Sequence, residues 1–207
     1  MKHLRQYIRQ ILLTEAAKTP ELLPDDIVIW IDDEEGYDEV TIIYAEKAVP
    51  FRRMMPIGKP GDGISDKTGY PIWGRIVIEK TEDYGLCDGA MKVAVSRAAD
   101  GWGPLLYDVA IEYATQVANG LMPDRVSVSG AANDVWWYYM RNRKDVKSHQ
   151  LDNIENELTP DIEEDNCEQG VAEDSEVDWW YSPLSKRYTK QPITINALKA
   201  AGKLVML

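Results

Sequence analysis

The chain has only two cysteines and two histidines, and it has no basic stripe and no long apolar run. Each absence removes a class of function. Cys87 and Cys167 lie far apart and have no Cys-x-x-Cys spacing. That pattern predicts inert thiols, no disulfide framework and a reducing compartment, the cytoplasm. His3 and His149 have no second ligand at metal spacing, which argues against a zinc site. No apolar stretch approaches the roughly 20 residues that span a bilayer. The N-terminal 1–18 is not a secretory signal, because Arg5 and Arg9 interrupt its apolar positions. Without clustered Lys and Arg, nucleic acid is not an expected partner.

What is present suits one ordinary domain over 1–207, with a hydrophobic fraction of 44%. The net charge of −12 has a local origin: twelve of the 35 acidic residues fall within 152–178, which has no Lys or Arg. The rest of the chain balances at 23 acidic against 23 basic residues. An acidic segment on a neutral body reads as a solvated loop or as a surface for a basic protein partner.

Hydrophobic spacing predicts an amphipathic helix over 3–18, then strands at 27–31 and 40–45 around a turn at Gly36. Residues 46–71 read as a long loop, followed by strands at 71–80 and 90–96. Pro104 suits a helix start, and Leu106, Val109, Ala110, Tyr113 and Val117 form one apolar stripe behind it. A short strand is expected at 125–129 and an aromatic-rich helix at 130–143. A final helix should stop at Gly202 and lead into a strand. The order implies an α/β (α+β) fold with a mixed, mostly antiparallel sheet, flanking helices and an irregular acidic C-terminal extension.

The stretch "VSRAADGWGPLLYDVAIEYA" (95–114) joins a strand to a helix through Gly101-Trp102-Gly103. Glycines at a helix N-terminus let backbone amides approach a phosphate, and the helix dipole favours the negative charge. A tight turn with no ligand is the competing explanation. The Walker phosphate loop is absent. So is the dinucleotide fingerprint, because Leu106 occupies the third glycine position. The segment "MKVAVSRAADGWGPLLYDVAIEYA" resembles motif A of the GNAT-type N-acetyltransferases, in which a strand leads into Gln/Arg-x-x-Gly-x-Gly/Ala and then a helix. Ala98 stands at the Gln/Arg position. "DRVSVSGAANDVWWYYMRNR" is similar to the next strand and helix of that family, so the resemblance covers about 72–143. The chain is also similar in style to uncharacterised GNAT-like proteins of tailed bacteriophages.

The resemblance implies a GNAT-like fold and acetyl-CoA as cofactor. Val93, Val95, Ala98, Gly101, Trp102 and Gly103 would bind it, and Tyr139 would be the acid that protonates the departing thiolate, with Tyr138 second to it. The implied activity is acetyl transfer to an unknown amine. A catalytically inactive phage virion or host-interaction protein of the same fold is the alternative, and would place the chain in the virion rather than the host cytoplasm. Glu79 and Asp88 lie near the right strands for a general base. The aromatic run Trp136, Trp137, Tyr138 and Tyr139 could line an acceptor pocket or divide alternately between core and surface. Trp179, Trp180 and Tyr181 could cover the sheet or meet a partner.

Overall fold

The run from Ile27 to Asp32 is apolar and rich in β-branched residues, and all of it but Asp32 is buried. Such a run suits a strand covered on both faces. It forms β1 (Ile27–Asp32) and returns as the antiparallel β2 (Glu39–Glu46), with Ile27 opposite Glu46 and Asp32 opposite Thr41. The structure, a computed structural model, describes residues 18–33, 38–47, 64–65, 71–82, 85–99, 101–151, 167–168 and 179–207.

The remaining strands are β3 (Ile64–Ser65), β4 (Pro71–Ile72), β5 (Gly74–Lys80), β6 (Met91–Ala98), β7 (Leu121–Met122), β8 (Val146–Gln150), β9 (Lys186–Lys190) and β10 (Leu204–Met206). The helices among the described residues are α1 (Gly103–Val117), α2 (Gly130–Asn142) and α3 (Ile193–Ala200). Eight strands hydrogen-bond in the order β10-β1-β2-β5-β6-β7-β9-β8, and β3 pairs separately with β4. The fold is therefore mixed α/β with a mostly antiparallel sheet. Its contacts group into two compact units. The first comprises Met1–Ile78, Val95–Ala110 and Pro192–Leu207, and the second Glu79–Ala94 and Ile111–Gln191.

In the first unit β1 lies between β2 and the parallel β10. Ile29, Ile31, Ile42, Ile43 and Tyr44 are fully buried, and Leu105, Leu106 and Val109 of α1 are buried too. Each large aliphatic side chain so buried contributes about 1.5–3 kcal/mol. Helix α3 ends as the sequence predicts. Gly202 is left-handed (φ 65°), its N–H donates to Lys199 O, and Lys203 N–H donates to Leu198 O at 2.9 Å. This paired cap satisfies the last carbonyls and turns the chain into β10.

In the second unit, Ser129 caps α2 by accepting from Ala132 N–H. Trp136 stacks on Tyr188 of β9 with centroids 4.9 Å apart. Gly120, at φ 101°, enters β7 where a Cβ would lie 2.5 Å from Tyr188 O, so only glycine fits.

Several expectations need correction. Residues 125–129 do not form a strand. The Asp124 carboxylate accepts from Val126 N–H at 3.0 Å and Ser127 N–H at 3.2 Å, a local turn that overrides the β-branched pattern, and β7 falls earlier, at 121–122. The strand expected over 71–80 is divided between β4 and β5, and β3, inside the stretch read as loop, pairs with β4 in a small sheet. Strands β8 and β9 were not expected, because "VKSHQ" and "KRYTK" lack an apolar alternation. Val117 is exposed rather than part of the α1 stripe, and Trp136, Trp137, Tyr138 and Tyr139 are all buried rather than alternating. Cys87 and Cys167 are joined in a disulfide, contrary to the expectation of separate thiols. The helix expected over 3–18 and the acidic segment 152–178 lie outside the described residues, apart from Lys18, Cys167 and Glu168.

Candidate functional site

The turn between β6 and α1 has the predicted position. Gly101 takes φ 81°, which a residue with a Cβ rarely adopts. Gly101 O accepts from Lys18 N–H, and Trp102 N–H donates to Ala99 O, both at 3.0 Å. The middle amide of the loop is thus engaged within the turn. Trp102 O accepts from the Tyr44 hydroxyl at 2.8 Å. Burial, and secondarily the Asp108 charge, push the Tyr44 phenol well above its ordinary pKa, so it remains a donor. The Trp102 ring packs against Trp73 and Tyr44, with centroids 4.8 Å and 5.4 Å away. Gly103 is not left-handed, and a Cβ there would make an ordinary 3.7 Å contact with Ala98. The two glycines therefore differ: Gly101 is required by backbone conformation and Gly103 is not.

On β6, Val93 is buried and Val95 is exposed. Ser96 and Tyr107 share a hydroxyl hydrogen bond of 2.9 Å. The parallel register with β7 covers only Met91 and Lys92, opposite Leu121 and Met122. Strand β6 continues to Ala98 without β7 beside it. Val95, Ala98 and the glycine turn belong to the first unit, whereas Val93 and Tyr139 belong to the second. Tyr139 is 1% exposed, with its ring 6.4 Å from Trp136, 5.7 Å from Tyr138 and under the Arg143 guanidinium. Of the two candidate bases, Glu79 is ion-paired with Lys92 at 2.7 Å and Asp88 with Arg187.

The second unit contains groups that sequence reasoning missed. Glu112 of α1 and Lys190 of β9 form a fully buried ion pair. Asp145 lies 3.7 Å from the same ammonium and takes two hydrogen bonds from Arg143, which lower its pKa. The sequence signal was slight: one acid within the apolar run "VAIEYA". A pocket of about 580 Å³ lies at the start of β6 and the end of α1, lined by Gly85, Leu86, Gly89, Met91, Val117 and Ala118 among others. The glycines of "GLCDG" suit a turn there and carry no sign of a cavity.

No family model matches the chain, and neither a curated protein nor a solved structure does. No helix among the described residues is long and apolar enough to cross a membrane. Among the same residues no group of three or more His, Cys, Asp or Glu could hold a metal ion.

Proposed function

We propose that the chain is a GNAT-like, CoA-dependent N-acyltransferase that transfers an acetyl group to an amine. The observation that carries this reading is the short register of β6 with β7, followed by the glycine turn and α1. Past Lys92 the β6 edge is not paired with β7, and a strand edge not taken by another strand can hold an extended ligand through main-chain hydrogen bonds. Val93 and Val95 would supply those groups, and Gly101 and Gly103 would let the helix N-terminus approach a pyrophosphate. Acetyl-CoA would supply an activated acyl thioester. The chain would position it, and backbone N–H groups would polarise its carbonyl. Tyr139 would give its hydroxyl proton to the leaving thiolate, although its ring is 1% exposed.

That burial, and the engagement of Trp102 N–H with Ala99 O, favour a second reading. In it the fold is kept for binding, as a phage virion or host-interaction protein, with 152–178 as the surface for a protein partner. Acetyl-CoA separates the two. At a hundredfold excess over Kd it should stabilise the fold by about 2.7 kcal/mol. For a chain of this size that raises Tm by roughly 5–10 °C. Gly103→Val should abolish the shift while leaving the ligand-free Tm close to wild type, because Gly103 has an ordinary backbone conformation. No shift at millimolar acetyl-CoA would remove the transferase reading and leave the binding protein.

A further inference from the structure

The turn at 85–89 is built against its own backbone preference. Gly85 and Gly89 are left-handed, at φ 76° and 66°. Between them Cys87 and Asp88 are also left-handed, at φ 41° and 56°, although both carry a Cβ. Two such residues in succession are strained and persist only when their surroundings over-determine them. Here the surroundings are specific. Asp88 pairs with Arg187, and Asn119 Nδ2 donates to Asp88 O at 2.8 Å. Asn119 N–H donates to Gly89 O, and Ala90 N–H to Cys87 O, both at 3.1 Å. A further restraint is covalent, the Cys87–Cys167 disulfide across 80 residues of sequence, with Gly85 bridged to Cys167 beside it. Both cysteines are fully buried, so a reductant reaches the bond only when its surroundings open.

We propose that the Cys87–Cys167 bond is a thiol–disulfide switch that holds the turn at 85–89 in its left-handed form and so sets the shape of the pocket that this turn walls. Gly85, Leu86 and Gly89 line that pocket directly, and Leu86 is exposed. A dithiol is the reductant. One of its thiolates attacks either sulfur, and the other cysteine leaves as a thiolate and takes up a proton. The second thiol of the reductant then displaces the attacked cysteine from the mixed disulfide, and that cysteine is protonated in turn. Two electrons pass, the dithiol ends as a cyclic disulfide, and the chain ends with two thiols. In the reduced form the covalent restraint on Cys87 and Asp88 is gone, the ion pair, hydrogen bonds and packing around Cys87 oppose the strain without it, and the turn relaxes. In a reducing cytoplasm the relaxed form would prevail, and outside it the disulfide-bonded one.

Amide hydrogen exchange with and without dithiothreitol tests this in the full chain. The reporters are the Gly89, Ala90 and Asn119 N–H groups, and the β8–β9 ladder of the same unit is the reference. Reduction should speed exchange at the three turn amides and leave the ladder unchanged. Unchanged turn amides would overturn the proposal. So would equal acceleration of the ladder, which would make the bond a general staple of the unit. A pair of variants isolates the strain. Cys87→Gly/Cys167→Ala and Cys87→Ala/Cys167→Ala both lack the bond, but glycine accepts the left-handed backbone. The glycine variant should keep the turn amides roughly 5–30-fold more protected than the alanine variant. Equal protection in the two variants would overturn the proposal. If the alanine variant does not fold, the reduced wild type still decides between the outcomes.

Discussion

The turns at 101–103 and 85–89 are held in opposite ways. The first uses a glycine where the backbone is left-handed, and its anchor is Trp102 packed between Trp73 and Tyr44. The second places a cysteine and an aspartate in left-handed positions and compensates with a disulfide and an ion pair. The same contrast runs through the described parts of the two units. The first is filled with isoleucine and leucine, whereas the second adds a buried Glu112–Lys190 pair to its aromatic core. Packing tolerates gradual change. A buried charge or a strained turn does not, because removing one partner leaves the other uncompensated.

The largest effect expected from this contrast is at Lys190. Lys190→Met removes the ammonium that faces the buried Glu112 carboxylate and should cost about 3–5 kcal/mol in urea denaturation. Replacing both partners, as Lys190→Met with Glu112→Leu, should recover most of that loss. A single-variant loss under about 1 kcal/mol would mean that water or Arg143 compensates, and that the second unit is no more dependent on charge than the first.

The glycine turn should give an intermediate effect. Gly101→Ala forces a Cβ into a left-handed backbone and should cost about 1–2 kcal/mol. Gly103→Ala meets only an ordinary contact at the start of α1 and should be neutral or stabilising by up to about 1 kcal/mol. Equal costs at the two positions would show that the turn is held by something other than the conformation of Gly101.

The smallest effect is a pH slope from His149 on β8. Burial lowers its pKa first, the Arg187 and Lys147 charges lower it further, and Asp88 opposes them. The unfolded chain therefore binds the proton more readily than the folded one. Stability from this group is fully present above about pH 6.5 and is lost as pH falls towards the folded value. The wild-type slope between pH 7 and 5 should be steeper than that of His149→Gln, and identical slopes would remove His149 from the account.

These contrasts were unequally legible in the sequence. The hairpin β1–β2, the strand–turn–helix from β6 to α1 and the Gly202 stop all depend on local chemistry, and local chemistry is what a sequence displays. The strand expected at 125–129 failed because Asp124, a single side chain, captured two amides. Strands β8 and β9 were hidden because a polar strand is specified by its partner, not by its own alternation. In the candidate site, the position of Gly101 and Gly103 was legible, but the ring that anchors their loop was not, since Trp73 and Tyr44 are distant in sequence. The disulfide and the Glu112–Lys190 pair join residues separated by about 80 positions. No local pattern marks either.

The ring cluster at the glycine turn also has an optical consequence. Trp102, Trp73 and Tyr44 meet at fixed, tilted angles of 43° to 72°. Asymmetric aromatic contacts of this kind couple their electronic transitions and give circular dichroism in the near ultraviolet. Trp102 is at once a member of that coupled set and the middle residue of the loop proposed to receive a ligand. A molecule that displaces the loop must tilt the indole and change the spectrum. The turn therefore carries its own unlabelled reporter, and Trp73→Phe would identify which part of the signal belongs to it.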